Sequence, residues 1–122
     1  MGNQGKKTKP KKSKHNNIVD WLFDRLYKRN KYSYQEKHIQ YGIYIGLEFY
    51  RGEVDVLTYN EKTDRYHFYE VKTNFSKKNF KKAKDQFKKY CLSHPEQKVA
   101  GIFISSQVIL RMHLNRELSD RI

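Results

Sequence analysis

Three charged residues near the middle of the chain have the types and spacing of a metal-dependent hydrolytic site. Asp55 ends the run GEVD, and Glu70 and Lys72 belong to the later run YEVK. If residues 60–65 connect two antiparallel strands symmetrically, Asp55 lies opposite Glu70, with Cβ atoms about 5 Å apart. Two carboxylates at this separation can hold one divalent ion, and oxygen ligands suit Mg²⁺ or Mn²⁺. Lys72 returns to the same face, where its ammonium can orient water and offset charge in the transition state.

The same register assigns the neighbouring residues of both strands to two faces. Tyr59 is expected opposite Tyr66, and Glu53 opposite Lys72, where an ordinary surface ion pair is the alternative to a catalytic function. The face of the candidate site carries Glu53, Asp55, Leu57, Phe68, Glu70 and Lys72. The opposite face is predicted to be core and carries Val54, Val56, Tyr69 and Val71.

The sequence before this hairpin predicts one helix and one strand. Apolar residues recur at helical spacing from a cap at Asn16 or Asn17 to about Asn30, with Trp21 predicted as core. A polar connection, 31–37, separates this helix from residues 39–47, whose alternation predicts a strand that leads to a turn near residues 51 and 52.

The sequence after the hairpin predicts a second helix, a buried strand and a terminal helix. Ser76 is the expected cap of a helix that runs to about Ser93, with a core stripe of Phe80, Ala83, Phe87, Tyr90 and Cys91. Residues 99–104 form a short apolar run typical of a buried strand, and a helix is expected over 108–118. The order α-β-β-β-α-β-α predicts an α/β fold, a mixed sheet of about four strands with helices on both faces.

Composition restricts the kind of partner. The 122 residues carry 26 Lys and Arg against 13 Asp and Glu, a formal charge of +13, which favours a polyanion, with nucleic acid ahead of an anionic membrane. Residues 1–14 hold six lysines and no acid, so we expect a flexible basic arm before a single domain over 15–122.

Cys91 is the only cysteine, which excludes an internal disulfide. Because no membrane span or secretory leader is evident, we expect a cytoplasmic protein.

The second helix carries an excess of lysine that exceeds what solvation needs. Seven lysines and one acid, Asp85, lie between residues 77 and 89. One side of the helix is expected to contact DNA phosphates, and a merely solvated face is the alternative. The residues on that side are Lys77, Lys81, Lys84 and Lys88.

In these residues the chain resembles the PD-(D/E)xK nuclease superfamily, in the branch typified by RecB. Gly52 and Asp55 match the GxxD motif, and Glu70 and Lys72 match the ExK motif. Gln86-Phe-Lys-Lys-Tyr90 matches the QxxxY motif of that branch. The resemblance covers nearly the whole chain outside the arm, and it implies a restriction-endonuclease-like core and a Mg²⁺-dependent deoxyribonuclease. It implies that Asp55 and Glu70 hold the metal, that Lys72 serves the water and the phosphate, and that Gln86 and Tyr90 assist.

The resemblance leaves the further metal ligand and the mode of action open. His15 or Glu48 is the candidate ligand, and the alternatives are that His15 belongs to the solvated arm and that Glu48 is an ordinary charged strand residue. The enzyme is expected to cut as an endonuclease or exonuclease, alone or in a larger nuclease complex. The alternatives are a Holliday junction resolvase acting as a homodimer and a non-catalytic DNA-binding module with the same fold.

Overall fold

The fold is a five-stranded mixed sheet with one helix on each face. A computed structural model describes residues 13–29 and 31–114, to which all structural statements below refer. The elements are α1 (Lys14–Arg29), β1 (Tyr34–Ile45), β2 (Glu48–Asn60), β3 (Arg65–Val71), α2 (Lys77–Ser93), β4 (Val99–Ile104) and β5 (Ile109–Met112). The strands lie in the order β1-β2-β3-β4-β5, with β3 and β4 parallel and the other neighbours antiparallel. The expected α/β class is confirmed, with five strands in place of about four.

Helix α1 begins earlier than the sequence indicated. The Ser13 hydroxyl accepts a hydrogen bond from the backbone N–H of Asn16 at 3.1 Å, and this capping contact places Lys14 at the first helical position. His15 therefore lies in the first turn of the helix and not in a solvated arm. Residues 1–12, the greater part of the predicted basic arm, lie outside the described residues.

The first two strands form a long ribbon. β1 already begins at Tyr34, within the segment predicted to be a connection, and the chain reverses at Gly46 and Leu47 instead of near residues 51 and 52. Gly46 has a φ of +64°, a conformation that favours glycine, so it is suited to this turn. β3 pairs only with the last five residues of β2, from Val56 to Asn60, and none of the described strands pairs with the ribbon beyond them on that side.

The predicted register of the β2–β3 hairpin is confirmed from Val56 to Tyr59, but the expected pairs of Asp55 with Glu70 and of Glu53 with Lys72 do not form between the described strands. Tyr59 pairs with Tyr66 and Leu57 with Phe68, although Asn60 and Arg65 also pair and shorten the connection to residues 61–64. Beyond the Val56 and Tyr69 pair the two strands separate, while β3 continues along β4 as far as Val71.

The predicted alternation of β2 fails at Asp55. Val56 packs in the core under α1, as expected, but Val54 packs in the core under α2. β1 changes sides at the same level, because Lys37 contacts α1 through Asp20 whereas Ile39 joins the core under α2. The pairing of β1 with β2 skips one position there, and His38 of β1 has a φ of +56°. A left-handed residue in the ribbon thus turns both strands over.

Each helix covers its own hydrophobic core. The core under α1 contains Val19, Leu22, Leu26, Val56, Tyr69, Val71 and Ile104. The core under α2 contains Val54, Leu57, Phe68, Ala83, Phe87, Tyr90, Phe103 and Met112, with Phe80 and Cys91 packed against it as predicted. Trp21 was wrongly predicted as core: its side chain is 53% exposed, and the guanidinium of Arg25 lies 5.4 Å from its ring.

The predicted terminal helix is wrong in its described part, where residues 109–112 form strand β5. Ser105 makes the tight turn that precedes it, since its hydroxyl accepts hydrogen bonds from the backbone N–H groups of Gln107 and Val108. This turn returns the chain to the open edge of β4, whose backbone then bonds to β5.

Ser76 caps α2 as predicted, with its hydroxyl 3.0 Å from the N–H of Asn79. In the described part of the chain, neither helix has the length and apolar character needed to span a membrane.

Candidate active site

Asp55 is a buried carboxylate held by the backbone of the neighbouring strand. It is 3% exposed, and its Oδ2 atom accepts a hydrogen bond of 2.7 Å from the N–H of Val71. Its Oδ1 atom lies 3.4 Å from Nε2 of His15, at the positive N-terminal end of α1. Burial raises the pKa of the Asp55 carboxyl, while the hydrogen bond from Val71 and the contact with His15 oppose that rise.

Glu70 is a second buried acid next to Asp55. Burial, and then the charge of Asp55, raise the pKa of Glu70 to about 8. Its Oε2 atom lies 3.6 Å from Nζ of Lys72, and its buried Oε1 atom has no hydrogen-bond partner among the described residues. An unpaired buried carboxylate oxygen is costly in a metal-free protein and becomes favourable when a cation binds it. The predicted triad of Asp55, Glu70 and Lys72 is therefore brought together where β2 and β3 separate.

A further acid and a histidine lie beside Asp55. His38, Glu53 and Asp55 each place one potential ligand atom within 4.8 Å of the others. His38 Nδ1 is 3.8 Å from Glu53 Oε2, and the same oxygen accepts a hydrogen bond from Gln40. Glu53 is thus engaged by β1 and not by Lys72, which pairs with Glu70. This oxygen and nitrogen set suits Mn²⁺ and, through its oxygens, Mg²⁺.

His38 was not among the residues singled out from the sequence. No metal-ligand spacing marks it, because its position depends on the left-handed backbone that turns β1 over at this level. A histidine with positive φ inside a strand pattern would have been a signal, but the sequence does not reveal φ.

Of the two open candidates for a further ligand, His15 lies at the site and Glu48 does not. Glu48 begins β2 at the tip of the ribbon, where it accepts a hydrogen bond from Tyr50. It is seven positions from Asp55, a distance of roughly 23 Å along an extended strand.

The two residues of the QxxxY motif have different surroundings. The Tyr41 hydroxyl donates to Oε1 of Gln86 at 2.9 Å. Burial, and then the charge of Glu70, raise the pKa of Tyr41, so Gln86 bonds to a tyrosine whose pKa responds to Glu70. Tyr90, near the end of α2, is buried against the sheet. Its hydroxyl donates to Gln97 at 2.8 Å, so it is a core residue whose hydroxyl is directed to Gln97 and not to the acids.

The predicted DNA-contacting lysines follow one side of α2. Lys77, Lys81 and Lys88 are exposed, and Lys84 is half-buried with its Nζ atom 6.0 Å from the centre of the Phe80 ring. Because α2 packs over the sheet on the side of Phe68 and Phe103, its exposed lysines form a positive surface on that side of the molecule.

Comparisons with known proteins give a similarity in structure and no family assignment. No protein-family model matches the chain, and no curated protein matches it. A solved structure titled "Crystal structure of SSO0001" is similar over 86% of this chain, with 20% identity and a TM-score of 0.47. The match covers 54% of that chain, so this chain spans about half the length of that protein.

Proposed function

We propose that this chain is a metal-dependent deoxyribonuclease that hydrolyses DNA phosphodiester bonds. The observation that carries the proposal is the pair of buried acids, Asp55 and Glu70, at the point where β2 and β3 separate, with Lys72 beside Glu70. Two buried carboxylates without a full set of partners destabilise a fold, so their presence is best explained by a bound cation. The match to the GxxD, ExK and QxxxY motifs supports the same function.

The proposed roles follow from the positions of the side chains. Asp55 and Glu70 would hold Mg²⁺ or Mn²⁺, with His15, or His38 and Glu53, as further ligands. The bound cation would supply Lewis-acid activation of the phosphate and of a water molecule. Lys72 would hold the attacking water and balance charge on the phosphate oxygens.

Gln86 would act through Tyr41 as a positioning residue. Its side-chain oxygen accepts a hydrogen bond of 2.9 Å from the Tyr41 hydroxyl, which holds the Tyr41 ring in place. Tyr90 would support this arrangement by packing edge-on against Tyr41, with ring centroids 5.4 Å apart.

The charge of the chain supports DNA as the substrate. A net charge of +13 and the lysine surface of α2 favour a polyanionic substrate. The chain would meet this substrate in the cytoplasm of the cell or its host. We expect most of the affinity to come from phosphate contacts, because the exposed side chains of α2 are chiefly lysines.

A digestion assay with a matched pair of glutamate variants tests the proposal. The purified chain is incubated with single-stranded, duplex and branched DNA, in Mg²⁺ or in EDTA. Glu70→Ala is expected to abolish cutting, whereas Glu48→Ala, at the exposed ribbon tip, is expected to leave it unchanged. Equal cutting by wild type and Glu70→Ala refutes the assigned site.

The same assay separates the alternatives. Paired, symmetric cuts confined to branched DNA, made by a dimer, would identify a Holliday junction resolvase. Binding of DNA without cutting in any metal would identify a non-catalytic DNA-binding module, and cutting that needs an added partner would identify a subunit of a larger nuclease complex.

A further inference from the structure

A cavity of about 410 Å³ opens between the sheet and the C-terminal end of α2. Two aromatic pairs form much of its wall. Tyr59 and Tyr66 lie with ring centroids 4.5 Å apart, and Tyr90 and His94 are stacked at 4.2 Å. Tyr34, at the start of β1, is 42% exposed and lies at the rim.

The lining of this cavity does not favour a phosphate as its ligand. No lysine, arginine, aspartate or glutamate is among its lining residues, although the chain as a whole carries a charge of +13. The pKa values of Tyr34 and Tyr90 are raised to about 12, chiefly by burial, so these phenols are neutral at physiological pH. Aromatic walls suit a flat, uncharged group.

One amide can give such a group a hydrogen bond. Gln97 lines the cavity, and its Oε1 atom is occupied by the Tyr90 hydroxyl. Because that contact fixes the orientation of the amide, its Nε2 atom is available as a donor; no bond from it to another described residue is present. A planar ring with acceptor atoms on its edge matches this combination of stacking surface and donor.

The cavity is adjacent to the two buried acids. Leu57, in its wall, is two positions from Asp55 on β2, about 7 Å along the strand. Gln40, also in the wall, donates a hydrogen bond of 2.9 Å to Glu53, which lies beside Asp55. A strand whose phosphate lies at the acids would therefore have a neighbouring nucleotide within reach of the cavity.

We propose that this cavity binds an unpaired nucleobase of the DNA strand that is cut, which makes single-stranded or locally opened DNA the preferred substrate. The inference rests on the proposed nuclease function for the identity of the polymer. A base paired within a duplex is stacked on its neighbours and presents no free face to the two aromatic pairs. Stacking on aromatic side chains tolerates all four bases, so the cavity selects the unpaired state and not a sequence.

A fluorescence experiment tests the cavity without any cutting. A single-stranded oligonucleotide that contains 2-aminopurine, whose emission falls on stacking, is titrated with the protein in EDTA. Wild type is expected to quench the emission on binding. Tyr59→Ala is expected to bind about tenfold more weakly with the quench lost, whereas Tyr59→Phe, which keeps the ring, retains both.

Controls keep the result independent of folding and of the nuclease assay. Tyr44→Ala removes a 70% exposed ring outside the cavity and is expected to behave as wild type. Melting temperatures are recorded for all variants, and Tyr34→Ala at the rim serves as the second cavity variant if Tyr59→Ala does not fold.

Three results would overturn the inference. Wild-type affinity and quenching in both alanine variants would show that no base enters the cavity, while Mg²⁺-dependent cutting would leave the nuclease proposal intact. Tighter binding of blunt duplex than of single strands would also refute it. Absence of DNA binding and cutting by the wild type would refute both proposals together.

Discussion

The N–H of Val71 donates a 2.7 Å hydrogen bond to the carboxylate of Asp55. Val71 lies beyond the last residue of β3 that pairs with β2, so its N–H has no ladder partner on that side. The side chain of Asp55 takes the place of the missing strand contact. The separation of the two strands thus both opens the candidate site and fixes the orientation of its first acid.

This contact predicts a difference between two variants of Asp55. Asp55→Asn and Asp55→Ala both remove the charge, and each is expected to reduce DNA cutting on the order of 100-fold or more. Asn retains an acceptor for Val71, whereas Ala leaves that buried N–H unpaired. The Asn variant should therefore be more stable by about 1–3 kcal/mol, measured by urea unfolding in EDTA. Equal stabilities would show that the hydrogen bond does not hold the fold.

The raised pKa of Glu70 predicts a pH-dependent stability of the metal-free protein. The folded chain keeps the Glu70 proton up to about pH 8, whereas the unfolded chain releases it near 4.5. The folded state binds more protons between these values, so its stability falls as the pH rises from about 5 to 8. Glu70→Gln should weaken this dependence and raise the melting temperature at pH 8 by roughly 5 °C.

Metal and a control variant complete this experiment. Mg²⁺ is expected to raise the wild-type melting temperature at pH 8 and to have little effect on Glu70→Gln. Glu61→Gln, on the exposed β2–β3 turn, should reproduce the wild-type profile. A wild-type melting temperature that is constant from pH 5 to 8 in EDTA would contradict the prediction.

The two histidines at the site should differ from a distant one in metal affinity. His15→Ala and His38→Ala are each expected to weaken Mn²⁺ binding about tenfold, in calorimetric titrations, because each removes a donor near Asp55. His113→Ala, on the exposed segment after β5, should bind as wild type. If only one of the two site variants loses affinity, that histidine is the ligand and the other is not.

The lysines of α2 should determine the salt dependence of DNA binding. Each of Lys81→Gln and Lys88→Gln is expected to reduce the slope of log affinity against log salt concentration by about 1, since each removes a phosphate contact. Lys62→Gln, in the β2–β3 turn, is the control and should leave the slope unchanged. Unchanged slopes in the α2 variants would place the DNA elsewhere.

The sequence predicted the parts of the site that depend on local pairing. The pairing of Tyr59 with Tyr66 follows from a symmetric connection, and the same register predicted that Asp55 and Glu70 lie close together. The cap at Ser76 is also local, because its hydroxyl accepts a hydrogen bond from the backbone N–H of Asn79, only three residues later. Such features are determined by neighbours in the chain, which is why a single sequence was sufficient for them.

The errors came from contacts between distant segments. The alternation rule put Val54 and Val56 on one face, but the left-handed backbone of His38, on another strand, turned β2 over. Residues 109–112 were predicted as helix, and the open edge of β4 made them a strand. Neither the φ of His38 nor the availability of that edge can be inferred from local periodicity.

The reversal of the ribbon at His38 and Asp55 has a consequence for how the molecule unfolds. Val54 anchors β2 in the layer under α2, and Val56 anchors it in the layer under α1, with Asp55 between them. Loss of either layer would release one of the two anchors and displace the carboxylate. We therefore expect the metal affinity to disappear in a single cooperative step with the fold, so that no half-unfolded form of the protein remains competent to bind the ion.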